Sequence, residues 1–122
     1  MSATGWKLDI LDRRLLLTRL IPIFPDVIAD HVTLAAGVSD DAELPEAVSA
    51  MIIGQADDGL GVQAMVVAID GSTRRPDGGT YHITWSLDRA AGRQAKESNA
   101  VIAEGWTLLP APISIQLHPA RF

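Results

Sequence analysis

The sequence predicts an α+β domain on an antiparallel-leaning sheet of six or seven strands, and three observations carry that prediction. Short apolar runs recur between turn-forming clusters such as Asp57-Asp58-Gly59 and Asp70-Gly71-Ser72. Only two segments have the spacing and end signals of helices. Two of the strand-like runs, His31-Val32-Thr33-Leu34 and His82-Ile83-Thr84-Trp85, repeat one pattern, a His two residues before a Thr. Side chains alternate faces along a strand, so His31 and Thr33 share one face, as do His82 and Thr84. Val32, Leu34, Tyr81, Ile83 and Trp85 lie behind them. The expected arrangement is a groove between the two strands, with the helices packed on the face away from the histidines.

Along the chain, Trp6 and Leu8 mark a first short strand. Asp9 or Asp12 caps a helix to about Leu20, with Leu16, Leu17, Leu20 and Ile21 as its buried stripe and Arg13, Arg14 and Arg19 turned mainly outward. Pro22 ends it, and Pro22-Ile23-Phe24-Pro25 is a stiff connector. Asp26 to Val38 contains the first His-x-Thr strand, and 39–45 is an acidic loop. Ala47 to Gln55 and Val62 to Ile69 are strands joined by the Asp57-Asp58-Gly59 turn. The second of them is almost wholly apolar, hence central and covered on both faces. A loop from Asp70 to Gly79 carries Arg74 and Arg75 into the second His-x-Thr strand. Ser98 caps a last helix to Glu104, stopped by Gly105. Two short strands, 106–109 and 113–117, are expected around Pro110 and Pro112.

The 122-residue chain suffices for one domain spanning 1–122. No apolar run approaches the roughly 20 residues needed to cross a bilayer, and the N-terminus lacks the basic-then-apolar pattern of a signal peptide. Without cysteine there is no disulfide, thiolate nucleophile or Cys-built zinc site. A cytoplasmic protein, monomeric or weakly oligomeric and with no membrane partner, is the expectation. The net charge of −5 argues against long double-stranded nucleic acid, whose binding neutralises many phosphates. It leaves room for a small anion at one locally basic point.

A lone His-x-Thr is uninformative, and a single histidine in a sheet is more often structural than catalytic. Two such patterns on two apolar strands are more specific, because four polar groups then converge on one groove. The third histidine, His118, sits in a His-Pro-Ala tail, and no His-x-His or His-x-x-x-His spacing suggests a metal site. Arg74 and Arg75 are candidates for contacting an anionic substrate. Tyr81, Ile83 and Trp85 read as core.

The paired His-x-Thr strands resemble those of the two-histidine phosphoesterase superfamily. Within it, Tyr81-His82-Ile83-Thr84-Trp85-Ser86-Leu87-Asp88, Gly92-Arg93, Glu97-Ser98-Asn99 and Glu104-Gly105-Trp106 look like the cyclic-phosphodiesterase domain of fungal-type tRNA ligases and its small bacterial stand-alone relatives. The resemblance runs from about Trp6 to Leu117. With His82 only 51 positions after His31, it implies a trimmed lobe. It implies a sheet in two small lobes, helices on the outer face and a central groove holding one His-x-Thr from each lobe. It also implies hydrolysis of a ribose 2′,3′-cyclic phosphate, on an RNA end or a small nucleotide, as in RNA processing or repair. His31 and His82 would be the acid–base pair, Thr33 and Thr84 the phosphate-binding hydroxyls, with neither metal nor cofactor. In-line attack places the base and the acid on opposite sides of phosphorus, and histidine serves either role because its ordinary pKa is about 6.5. Joining RNA ends through a 2′,5′ bond, opening an ADP-ribose cyclic phosphate, and non-catalytic nucleotide binding are the competing readings.

Overall fold

A computed structural model describes all 122 residues. In chain order the elements are β1 (Ser2–Leu8), α1 (Ile10–Arg19), β2 (Asp26–Val27), β3 (His31–Val38), β4 (Val48–Asp57), β5 (Val62–Ile69), β6 (His82–Leu87), α2 (Ser98–Glu104) and β7 (Thr107–Arg121). The strands make one α+β sheet in the order β2-β6-β5-β4-β7-β1-β3, with every neighbouring pair antiparallel.

The expected two lobes are two halves of a continuous sheet, β2-β6-β5-β4 and β7-β1-β3, each contributing one histidine. Continuity comes from β7. Its residues 113–117 pair with β4 and 117–121 with β1. Two short strands were expected here because of the prolines. The chain instead loops Leu109–Pro112 out of register, between the pairs Gly54↔Leu108 and Ile52↔Ile113. Pro110 and Pro112 thus sit where no ladder N–H is required.

The two ends of the sheet are stitched together by Asp26–Val38. β2 pairs with β6 at one end, β3 pairs with β1 at the other, and only three residues separate them. Ile28 and Ala29 carry the β6 pairing onward, donating to the carbonyls of Trp85 (2.9 Å) and Thr84 (3.0 Å). The chain then kinks at Ala29, whose φ is +43°, and Asp30 accepts from the Leu8 N–H. Arg13, expected on the solvent face of α1, holds this kink by donating to the carbonyls of Ala29 (2.9 Å) and Ile28 (3.2 Å).

The main core lies on one face, where Val32, Ile52, Met65, Ile83, Trp85 and Ile115 are at most 1% exposed. α1 covers it with Leu16, Leu17 and Leu20, and Asp9 caps the helix by accepting from the N–H groups of Leu11 and Asp12, each at 3.1 Å. Ile21 is exposed, because the helix ends at Leu20 and the chain turns out. A buried polar pair fixes the connector that follows. Gln63 accepts from the Ile23 N–H (2.9 Å) and from the Ser86 hydroxyl (2.5 Å), while Ser86 accepts from the Phe24 N–H (3.2 Å).

α2 packs on the opposite face, with Ile102 against Ala56, Ala64 and Val66. The expectation that both helices avoid the histidine face is therefore corrected. β5 is apolar on both faces, so burial is favoured on both sides of it, and α2 covers the side that carries His82 and Thr84. Ser98 is not the cap either: Glu97 holds that position, and Ser98 is fully buried beneath the helix.

Candidate functional site

Pairing register, rather than proximity in sequence, brings His31 and His82 together. Asp26 faces Leu87 and Val27 faces Ser86, and the Ile28 and Ala29 hydrogen bonds extend that register. Beyond the Ala29 kink no ladder continues, but β3 lies against β6, and the His31 charge is felt at His82. Along each strand the residue next to the histidine, Val32 in β3 and Ile83 in β6, points into the main core, and side chains alternate faces. Both imidazoles therefore emerge on the face away from the main core, one from each half of the sheet.

Each ring is held by its Nδ1. In His82, Nδ1 lies 2.8 Å from the Thr80 carbonyl oxygen, which only accepts, so Nδ1 carries a proton and the neutral ring presents Nε2 as an acceptor. In His31, Nδ1 lies 3.0 Å from Oδ2 of Asp30. Neither Nε2 has a partner within the protein. The same Asp30 oxygen takes the Lys7 ammonium at 2.5 Å. Burial alone would raise the Asp30 pKa, but the hydrogen bonds from Lys7 and His31 outweigh it and hold the carboxyl below its ordinary value.

Burial pushes the His82 pKa down, helped by the nearby positive charges of Arg75 and His31 against the opposing Thr80 hydrogen bond. A histidine with a depressed folded-state pKa binds fewer protons than it does unfolded. Stability therefore rises with pH across this window: the His82 contribution is complete above about pH 6.5 and is lost as pH falls towards the folded value. His82→Gln should flatten the dependence of the urea midpoint on pH between 7.5 and 5.5. An unchanged slope would show that His82 stays accessible to protons.

The two threonines separate. Thr33 is half-buried, no protein atom accepts its hydroxyl, and Gly5 stands opposite it on β1. A Cβ at Gly5 would come within 2.1 Å of the Val32 carbonyl oxygen, so glycine is what lets the β1 and β3 backbones approach this closely beside Thr33. Thr84 is 7% exposed, with its hydroxyl 2.9 Å from Ser98 Oγ and 3.3 Å from the Ala95 carbonyl oxygen. Its sequence-based assignment to phosphate binding is corrected: the hydroxyl ties α2 to β6. Thr84→Val should cost about 1–3 kcal/mol in a denaturant titration, the range for a buried group losing its partner. A stability unchanged within error would contradict that tie.

Arg75 reaches the site and Arg74 does not. The Arg75 side chain is only 12% exposed, pairs with Asp77 at 2.9 Å and donates to Asn99 at 3.3 Å, and its charge is felt at His82. Arg74 is exposed on the far strand of its loop, bridged to Thr80 through the backbone. His118 stays apart from the pair, 2.9 Å from Asp9.

Sequence reasoning missed Asp30, Lys7 and Phe122. The Phe122 ring lies 4.3 Å from the His31 ring, centroid to centroid and tilted by 44°, and the Lys7 ammonium is 5.5 Å from its centre. Asp30 was signalled by the Asp-His dipeptide itself. Lys7 and Phe122 were not, because only the β1–β3 and β1–β7 pairings bring them in.

Size does not select the site. The largest hollow, about 720 Å³ and lined by Ile23, Asp57, Glu104 and Trp106, contains no histidine. Another of about 520 Å³ is lined by Lys7, Asp9, Arg13, Asp30 and His118, and adjoins the pair through Lys7 and Asp30. Neither hollow is lined by His31 or His82 themselves, and the link of the second to the pair is the contact of Asp30 with His31.

No protein-family model matches the chain, and neither a curated protein nor a solved structure matches it. The inference to function therefore rests on the site.

Proposed function

We propose that this protein is a metal-independent phosphodiesterase that opens a ribose 2′,3′-cyclic phosphate, similar in mechanism to two-histidine phosphoesterases. One observation carries the reading: two imidazoles on strands in contact, each anchored through Nδ1 and each with a free Nε2. Two such nitrogens can flank a single phosphorus, one accepting a proton from water and the other protonating the departing ribose oxygen. In this reading Thr33 and Arg75 meet the charge on the non-bridging oxygens, a role in which preorganised donors act strongly.

The substrate class is an RNA end or a small nucleotide. The net charge of −5 fits contact with one phosphate better than tracking many. No helix is long and apolar enough to cross a membrane, and a cytoplasmic setting with RNA processing or repair as the context follows as part of the proposal.

Because histidines supply both proton transfers, turnover of a 2′,3′-cyclic nucleotide should persist in excess EDTA. Activity lost to chelation and restored by zinc or manganese would overturn the mechanism. Binding without turnover would identify a nucleotide-binding module instead.

A further inference from the structure

We propose that Asp30, held between Lys7 and His31, is a positioning residue that makes His31 the acid of the pair and leaves His82 the base. The inference rests on the phosphodiesterase reading and goes beyond it by dividing the roles. The two histidines are anchored by chemically different acceptors. His82 donates to a neutral carbonyl, which fixes a neutral tautomer with Nε2 open to accept a proton. His31 donates to a carboxylate, which fixes the ring and is also the counter-ion for a ring protonated on both nitrogens.

The step balances without a co-reactant. Water attacks phosphorus while His82 Nε2 takes its proton. The P–O bond to one ribose oxygen breaks, and that oxygen leaves with the proton from His31 Nε2. A phosphate monoester and a ribose hydroxyl result, with the two rings having exchanged protonation states, and proton exchange with solvent restores them.

The carboxylate is not exclusive to His31, and this makes the division testable. Lys7 engages the same oxygen, so the two cations compete for it. The other charged or titratable groups around His31 are Lys7 on β1, His118 across from Lys7 on β7, His82 on β6 and Arg75 on its loop. Of these, only Lys7 and Asp30 form a direct ion pair with each other at the His31 ring.

Asp30→Asn and Lys7→Met should therefore move the rate profile in opposite directions. In Asp30→Asn, the high-pH limb of kcat should move to lower pH and kcat at pH 8 should fall by about tenfold or more. That is well short of the ~10⁴ known for a fully buried orienting aspartate, because Asp30 is 45% exposed. In Lys7→Met the same limb should move to higher pH. A purely structural role would move both limbs or neither, and identical shifts in the two variants would overturn the proposal.

A second readout needs no turnover. In ¹⁵N NMR of the folded wild type, neutral His31 should carry its proton on Nδ1, and in Asp30→Asn the population should move towards Nε2–H. An unchanged tautomer overturns the role of Asp30, even if the enzyme is active. Wild type inactive on every cyclic nucleotide, with the tautomer shift present, overturns the phosphodiesterase reading and the acid–base division with it, leaving only the Asp30–His31 contact.

Discussion

His82→Ala should lower single-turnover hydrolysis of a 2′,3′-cyclic nucleotide by about 10²–10⁴-fold, the range for a lost general acid or base. The fold should remain, because His82 projects from the face opposite the main core and its backbone pairings with β5 do not use the imidazole. His31→Ala should cost a similar factor. The double variant should lose far less than the product of the two losses, since groups acting on one transition state are not additive. Wild-type activity should be bell-shaped in pH, one limb for each partner of the pair. His82→Ala working at the wild-type rate, with a native circular dichroism spectrum, would leave the histidine pair without a catalytic role.

The largest effect on stability is expected from Trp85→Ala. Trp85 is 0% exposed, belongs to the main core with Ile83, Met65 and Leu16, and its indole N–H donates to the Leu20 carbonyl at 2.7 Å. The substitution removes the largest fully buried side chain and strips the C-terminal end of α1 of a hydrogen bond. About 3–5 kcal/mol is the usual cost of truncating a buried aromatic, and the lost partner at Leu20 places this site at the upper end. A urea titration reads the difference directly. A loss below about 1 kcal/mol would mean that α1 is not held to the sheet through Trp85.

The face of each strand was legible in the sequence because the period of two is strict. Tyr81, Ile83 and Trp85 are core, as their alternation with His82 and Thr84 required, and Val62–Ile69 is covered on both sides, as its apolar run required. An aspartate cap, offered as Asp9 or Asp12 and found at Asp9, and the Asp57-Asp58-Gly59 turn were legible for the same local reason. In that turn Asp58 accepts from the N–H groups of Leu60 (2.8 Å) and Val62 (3.1 Å).

Pairing partners were not legible. That Asp26–Val38 bends at Ala29 to join both ends of the sheet depends on Arg13, sixteen residues away, and on strands still further along the chain. The burial of Thr84 under Ser98 was hidden for a related reason. A threonine on the histidine face reads as groove-lining until a helix covers it, and nothing local to 98–104 says which side of the sheet it takes. Arg93 shows the same limit. It reads as a loop residue, yet it ties Glu97, Asp58 (2.6 Å) and the Leu60 carbonyl (2.6 Å) together and so fixes the approach to α2.

The central claim is that His31 and His82 address one phosphate together. ¹⁵N-labelled protein titrated with nucleoside 2′- and 3′-phosphates, the two monoesters that cyclic-phosphate opening can give, tests it directly by NMR. The Nε2 resonances of both rings should shift along one binding curve with a single Kd, while His118, paired with Asp9, should stay still. Movement of one ring alone, or of His118 in place of His82, would contradict a shared phosphate site.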